Sequence, residues 1–395
     1  MEAWMVNIRR ELHQWPELIY EEHNTSAAIR RVLDELDIPY KYPVAGTGVV
    51  ASIGKGDPVV GLRADIDALP IHEQADVPFT SKNEGKMHAC GHDSHTTMLL
   101  GAARLLKGME SQLKGSVRLF FQPAEEGGAG ADRMIKEGAA QGLKAIFGFH
   151  VWPSMRSGHI GSRPGTILAG ALSFEATING RGGHAAMPHL TTDPVVASAA
   201  AVVALQSLVS RETSPLESAV VSVTRFSAGD GAFNVIPDTT AFGGTIRCLT
   251  HDGMMTLQKR VTEVIRAQAA SFGCTADISW REEDQPYYPP TVNDKGAFEF
   301  AKDVGIRLLG DPSKFEEVLP TMAGEDFAFF GRAGIPASFS FLGINDPGQQ
   351  TGHGLHTPRF KLDEAVLPLG AAYHTALATE FLDTYAATTG KRDEL

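Results

Sequence analysis

Residues 116–128 read SVRLFFQPAEEGG: an almost unbroken apolar run, then a proline, two carboxylates and a glycine-rich turn. A short run of this kind, bounded by turn residues, is a strand covered on both faces. Strands of the same character lie around it at VVASI (49–53), VVGLRADID (59–67) and KAIFGFHV (144–151), while TTMLLGAARLLKGM (96–109) reads as a buried helix between two of them. Residues 2–14 and 24–37 carry the apolar spacing of amphipathic helices. Apolar strands alternating with helices predict an α/β protein with a mixed, mostly parallel sheet flanked by helices.

Downstream the pattern changes. LSFEATING alternates strictly, placing Leu172, Phe174, Ala176 and Ile178 on one face of a half-buried strand. Asp193-Pro194 is an N-cap and first-turn pair that opens a helix to about residue 210. Strands at SAVVSVTRF and TTAFGGTIRCL, a helix over 253–271 closed by Gly273, and a strand at CTADISW complete the order βαββαβ. This is the ferredoxin-like unit, predicted as an inserted small domain over 169–282. It leaves one sheet face open, so a homodimer through the small domain is an expectation. The helix and parallel-strand pattern resumes with a helix at 295–309, a strand at 337–343 and a long helix from 362, so residues 1–168 and 283–395 form the catalytic domain.

A chain of 395 residues is long enough for two domains. A hydrophobic share of 43% and a charged share of 21% are those of an ordinary globular protein, and the net charge of −12 argues against nucleic acid or an anionic membrane as partner. No apolar run is expected to reach the roughly 18 residues of a membrane span, and the N-terminal stretch reads as an amphipathic helix rather than a signal peptide. The chain stops at KRDEL, whose last four residues match a lumenal retention signal of the Lys/His-Asp-Glu-Leu type except for Arg392 at the first of the four, which predicts the endoplasmic reticulum lumen. Three cysteines make no disulfide framework, although Cys248 and Cys274 could pair in an oxidising compartment. Asn24-Thr25-Ser26 is a formal glycosylation sequon at an expected helix start, where the same residues serve as caps.

The chemistry gathers at strand ends, where open α/β sheets bind ligands. RADID ends one strand; FQPAEEGG ends another with Glu125 and Glu126; FGFHVWP ends a third with His150; GLHTP follows the strand at 337–343. KMHACGHDSH (86–95) adds Cys90 and three histidines. Each group taken singly is weak, since a strand-end histidine is commonly a hydrogen-bonded structural residue and a cysteine a small buried hydrophobe. Two carboxylates after so apolar a strand are costly unless a cation or proton offsets them. One can then ligate a metal while the other works as a general base.

The motifs MHACGHDSHTTMLLGAA, FQPAEEGGAGA, GFHVWP, GRGGHAAMP, AFNVIPD, GGTIR, MAGEDFAFF and LHTPRF resemble, in order and over nearly the whole chain, the amidohydrolase branch of the co-catalytic metallopeptidase and aminoacylase family. Within it, NIRRELHQWPEL, KYPVAGTGVV and PPTVNDK look like the plant auxin-conjugate hydrolases. The resemblance implies two divalent ions, manganese favoured and zinc allowed, held by Cys90, His92, Glu126, His150 and His356, with Cys90 a thiolate where related enzymes use an aspartate. Glu125 would be the general base, moving a proton from the attacking water to the leaving amine. Asp65 matches an aspartate that orients a metal histidine, but Arg63 stands where relatives carry that histidine. His184, Asn234 and Arg247 resemble substrate contacts, whereas His88, His95 and His353 take structural readings. The implied activity is cleavage of an N-acyl amino acid, in the first place an indole-3-acetyl conjugate. The alternatives are indolebutyryl or jasmonoyl conjugates, a hippurate or N-acetyl deacylase, and a catalytically silent relative that binds conjugate or metal.

Overall fold

The structure is a computed structural model that describes residues 1–229 and 231–390; the KRDEL tail lies outside the described residues. The chain divides into two compact units, one of Met1–Ile167, Thr291–Leu319 and Asp326–Leu395, the other of Leu168–Pro290 and Pro320–Glu325. Backbone pairing explains where the second unit ends. Ala171 and Tyr288 exchange hydrogen bonds of 2.9 and 3.0 Å, and Ala169 N–H donates to the carbonyls of Thr321 and Ala323.

In the first unit eight strands form one sheet in the order Tyr40–Val44, Gly48–Gly54, Ser116–Gln122, Val59–Asp65, Leu143–Arg156, Ala337–Asn345, Ile160–Ser162, Phe315–Glu317. The central strands Ser116–Gln122, Val59–Asp65, Leu143–Arg156 and Ala337–Asn345 are mutually parallel. A hairpin of Tyr40–Val44 and Gly48–Gly54 closes one side in antiparallel fashion. Apolar residues point both ways from these strands because both faces are covered. Val117, Leu119, Phe121, Phe147 and Phe149 enter the main core with the helices His92–Gly108 and Leu367–Gly390. Phe120 faces oppositely and meets Phe330 edge-on, beside Phe327 and Phe339.

The expected caps of the second helix are corrected. His23–Glu35 starts one residue before Asn24, and the Glu17 carboxylate does the capping, accepting from the Asn24 backbone and side chain and from the Thr25 N–H and hydroxyl. A carboxylate outside the helix satisfies the orphan N–H groups and suits the positive end of the helix dipole.

The second unit has the order βαββαβ. Its sheet runs Ala219–Ala228, Thr239–Cys248, Gly170–Asn179, Thr275–Ser279, all antiparallel. Helices Pro194–Ser207 and His251–Ser271 cover one face, with Ala197, Ala201, Leu205, Val261 and Ile265 buried against Leu172, Phe174, Ala176 and Ile178. Against the expectation of no such run, Pro194–Glu212 is long and apolar enough to cross a membrane, with mean hydropathy 1.4, yet its inner face is core of this unit. The sequence pattern understated it because five residues of π-helix, Leu208–Glu212, extend the helix past Ser207. Cys248 and Cys274 are buried and unpaired.

Candidate metal centre

Strand Leu143–Arg156 carries His150, and the turn after strand Ser116–Gln122 carries Glu125 and Glu126. Cys90 and His92 flank Gly91, the N-cap of helix His92–Gly108, at φ 90°. A side chain at Gly91 would strain that backbone, and its Cβ would come within 2.5 Å of Val151 Cγ2. Glycine therefore lets the cysteine and the histidine straddle the helix start. His356 reaches the same place from a loop whose backbone is pinned by His356 N–H to the Ala89 carbonyl, 2.9 Å, with His356 itself at φ 59°. Left-handed backbone at a histidine is a local cost that the surrounding structure holds in place.

The five groups expected as ligands converge. Cys90 Sγ lies 3.2 Å from both His150 Nε2 and His356 Nε2. Glu126 Oε1 lies 3.1 Å from His356 Nε2 and 4.0 Å from His92 Nε2. Cys90 with His92 and His150, Cys90 with Glu126 and His356, and His92 with Glu125 and Glu126 each bring their ligand atoms within 4.8 Å of one another. His92 Nε2 and Glu126 Oε1 are buried yet have no hydrogen-bond partner. Such atoms are normally satisfied; the contact of Glu126 Oε1 with His356 is an ion-pair distance, and the carboxylates of Asp65 and Glu126 stand 3.8 and 4.0 Å from His92 Nε2. A thiol, three imidazoles and a carboxylate arranged in this way fit a divalent cation.

The electrostatics agree. Burial pushes the Cys90 thiol up, and Glu126 and Glu125 add to it, so without a cation it stays protonated. Burial lowers the His92 pKa, but Asp65 and Asp67 outweigh it and raise it to about 10, so without a cation its imidazole is charged. A cation must displace both protons. Loading the metal-free protein with manganese at pH 7 should therefore release about two protons per chain, and affinity should rise with pH. Calorimetry in buffers of different ionisation enthalpy measures this; pH-independent binding without proton release would contradict the ligand set.

Around this cluster the structure adds residues that the sequence did not single out. His92 is oriented by Asp67: its Nδ1 lies 2.9 Å from the Asp67 carbonyl and 3.3 Å from the carboxylate. The Asp67 carboxylate also accepts the N–H groups of Glu125 and Glu126, at 3.0 and 2.9 Å. Glu22, fully buried, accepts the Ala124 N–H at 2.9 Å. Two carboxylates thus gather three successive N–H groups and hold the turn that presents Glu125 and Glu126. The signal was the second aspartate of RADID, two residues past the first. Asp65 Oδ2 stands 3.8 Å from His92 Nε2; the carboxylate instead bonds Arg63 and His95.

The remaining histidines separate by partner. His95 is locked between Asp65 and the Val151 N–H. His88 is buried with neither ring nitrogen bonded, and burial lowers its pKa to about 4, so it is neutral. His353 belongs to none of the donor groups among the described residues.

The expected substrate contacts all fall in the second unit. His184 pairs with Val235 on a two-stranded ribbon, and the Ala185 N–H donates to the Asn234 carbonyl, so His184 and Asn234 are neighbours. His184 Nδ1 accepts from the Ala186 N–H at 3.1 Å, which leaves Nε2–H free to donate. Arg247 lies on strand Thr239–Cys248, opposite Ala171 and Val220. Its half-buried guanidinium has no carboxylate partner among the described residues, and burial lowers its pKa. Gly324 leaves it room, since a Cβ there would stand 3.0 Å from Nη1.

A doubly covered α/β sheet with paired carboxylates beside a thiol and imidazole cluster defines the protein as a hydrolase of the metallopeptidase type. The chain belongs to peptidase family M20/M25/M40, whose model matches residues 61–380. It is 48% identical to IAA-amino acid hydrolase ILR1-like 4 of Arabidopsis thaliana, over 99% of this chain and 90% of that one. N-acetylcysteine deacetylase of Bacillus subtilis is 41% identical over 96% of this chain and 97% of its own. Among solved structures, the Bacillus subtilis YXEP protein, a dinuclear metal binding peptidase of the M20 family, superposes with TM-score 0.82 at 37% identity, covering 97% of this chain and 99% of that one.

Proposed function

We propose that this protein is a two-metal amidohydrolase that splits indole-3-acetyl amino acids into free auxin and amino acid. The observation that carries the reading is the convergence of Cys90, His92, Glu126, His150 and His356, with His92 Nε2 buried and making no hydrogen bond. Likeness to a plant conjugate hydrolase at 48% identity supports the substrate class, and likeness to a dinuclear peptidase supports two ions.

The five groups would hold the cations, manganese favoured and zinc the alternative. When bound, the cations polarise the amide carbonyl and lower the pKa of water at the site. Glu125 takes the proton of the attacking water as the oxygen adds to the carbonyl carbon, then delivers it to the nitrogen as the C–N bond breaks. Asp67 and Glu22 hold the turn that aims Glu125. His184 Nε2–H is the donor for the carbonyl oxygen, Arg247 the receptor for the free carboxylate and Asn234 a further contact. The retention-type tail supports a lumenal location, and a homodimer through the second unit completes the reading; sedimentation velocity decides the latter.

The test is a hydrolysis panel of indoleacetyl, indolebutyryl, jasmonoyl, benzoyl and acetyl amino acids, each with added manganese or zinc. Indoleacetyl conjugates should show the highest kcat/KM. A clear preference for acetyl or benzoyl substrates would reject the auxin-conjugate reading for a general deacylase, which the likeness to N-acetylcysteine deacetylase favours as second choice.

A further inference from the structure

Arg63 is 1% exposed and among the largest fully buried side chains of the chain. A buried guanidinium is costly unless every direction in which it donates is answered. Here Nε donates to Gln122 Oε1 at 2.7 Å, Nη1 to Asp65 Oδ2 at 2.6 Å and Nη2 to Asp326 Oδ1 at 2.9 Å. The fork thus ties together the ends of strands Val59–Asp65 and Ser116–Gln122 and the segment containing Asp326.

Each anchor leads to the reacting groups. Asp65 Oδ1 accepts from His95 Nδ1 at 2.6 Å, and His95 Nε2 accepts the Val151 N–H at 2.9 Å. The carbonyl of the same Val151 lies 2.7 Å from His150 Nδ1 and accepts its proton, which leaves the Nε2 lone pair aimed at the cluster, 3.2 Å from Cys90 Sγ. The other arm is shorter. Asp326, held by Arg63 and by both Gln122 contacts, accepts the Ala131 N–H and donates its own N–H to Glu125 Oε1 in a long bond of 3.4 Å.

We propose that Arg63 is a positioning residue, a buried ionic hub that sets the tautomer of His150 through Asp65 and His95 and the aim of Glu125 through Asp326. The proposal rests on the two-metal hydrolase reading for its kinetic arm only. The metal arm stands without it, since it needs no substrate.

Arg63→Lys keeps the charge but cannot satisfy Gln122, Asp65 and Asp326 together. In the folded full-length variant, chelator competition with manganese alone should show Kd raised by about 10–100-fold. On the best substrate, kcat should fall by a similar factor with KM little changed, the pattern of an interaction that matters in the transition state. Should Arg63→Lys not fold, Asp326→Asn keeps the volume and removes one anchor; a fall in kcat at unchanged KM supports the hub. A variant of either kind with a lowered Tm but wild-type Kd and kcat would show a purely structural arginine and overturn the proposal. If the wild type hydrolyses no N-acyl amino acid, the substrate reading fails, while the manganese Kd of Arg63→Lys still decides the role of Arg63.

Discussion

Glu125→Gln should lower turnover by about 10²–10⁴-fold while leaving two ions per chain and KM nearly unchanged. The substitution keeps the shape of a side chain that is 7% exposed and removes only its ability to take a proton. Its backbone anchor is untouched, because the Glu125 N–H donates to Asp67 whatever the side chain carries. A glutamine can accept the Asp326 N–H only through its amide oxygen, in one of the two orientations of the amide, so a modest additional loss of aim is included in that range. Elemental analysis alongside single-turnover kinetics separates lost chemistry from lost metal. Turnover at the wild-type rate would remove Glu125 from the mechanism.

Cys90→Ser should lower the affinity for at least one ion by about 100-fold or more, because the thiolate is the ligand and a serine hydroxyl does not ionise near neutral pH. Cys90 lies within 3.2 Å of two of the three imidazoles in the cluster, so its loss opens the centre rather than the rim. Cys90→Asp offers a carboxylate in the same place and should retain more metal than Cys90→Ser, in the order wild type, Asp, Ser. Full metal content and activity in Cys90→Ser would instead make the cysteine a small buried apolar residue, the reading its 6% exposure also allows.

Glu125 and Cys90 differ in how far the local sequence reveals them. Glu125 and Glu126 stand out in the sequence because a pair of carboxylates directly after VRLFFQPA has no cheap place in a core. Cys90 is one of three cysteines and sits beside His92, but its partners lie 60 and 266 residues away, so no local pattern reveals them. Their convergence depends on His150, in the interior of strand Leu143–Arg156, and on His356, in a loop with no periodic signal. The resemblance to related enzymes bridged that gap at the level of residue types. It could not say which group orients which.

That division runs through the whole protein. The resemblance matched Asp65 to an aspartate that orients a metal histidine, with Arg63 in that histidine's place; in the structure Asp67 holds His92, while Asp65 bonds Arg63 and His95. Asp65 is the last residue of strand Val59–Asp65, whereas Asp67 lies two residues beyond it where the chain has left the sheet, so their carboxylates meet different partners. His88 and His95 are indistinguishable by composition, yet one is locked between Asp65 and Val151 while the other has no bonded nitrogen. The helix at His23–Glu35 is capped by Glu17 rather than by the Asn-Thr-Ser run that looked made for it.

By itself the sequence determined the long central strands and the main helices, the change from doubly buried to alternating strands, and the paired carboxylates after strand Ser116–Gln122, because these follow from side-chain period and from the cost of burying charge. The short strands Tyr40–Val44, Ile160–Ser162 and Phe315–Glu317 carry no such period, and His150 lies inside its strand rather than at its end. Tertiary structure alone decided which donors share one point, which nitrogen of each histidine is left bare, and that Arg63 joins residues 122 and 326 to 65. Those outcomes depend on the directions and distances of groups far apart in the chain, to which local periodicity carries no information.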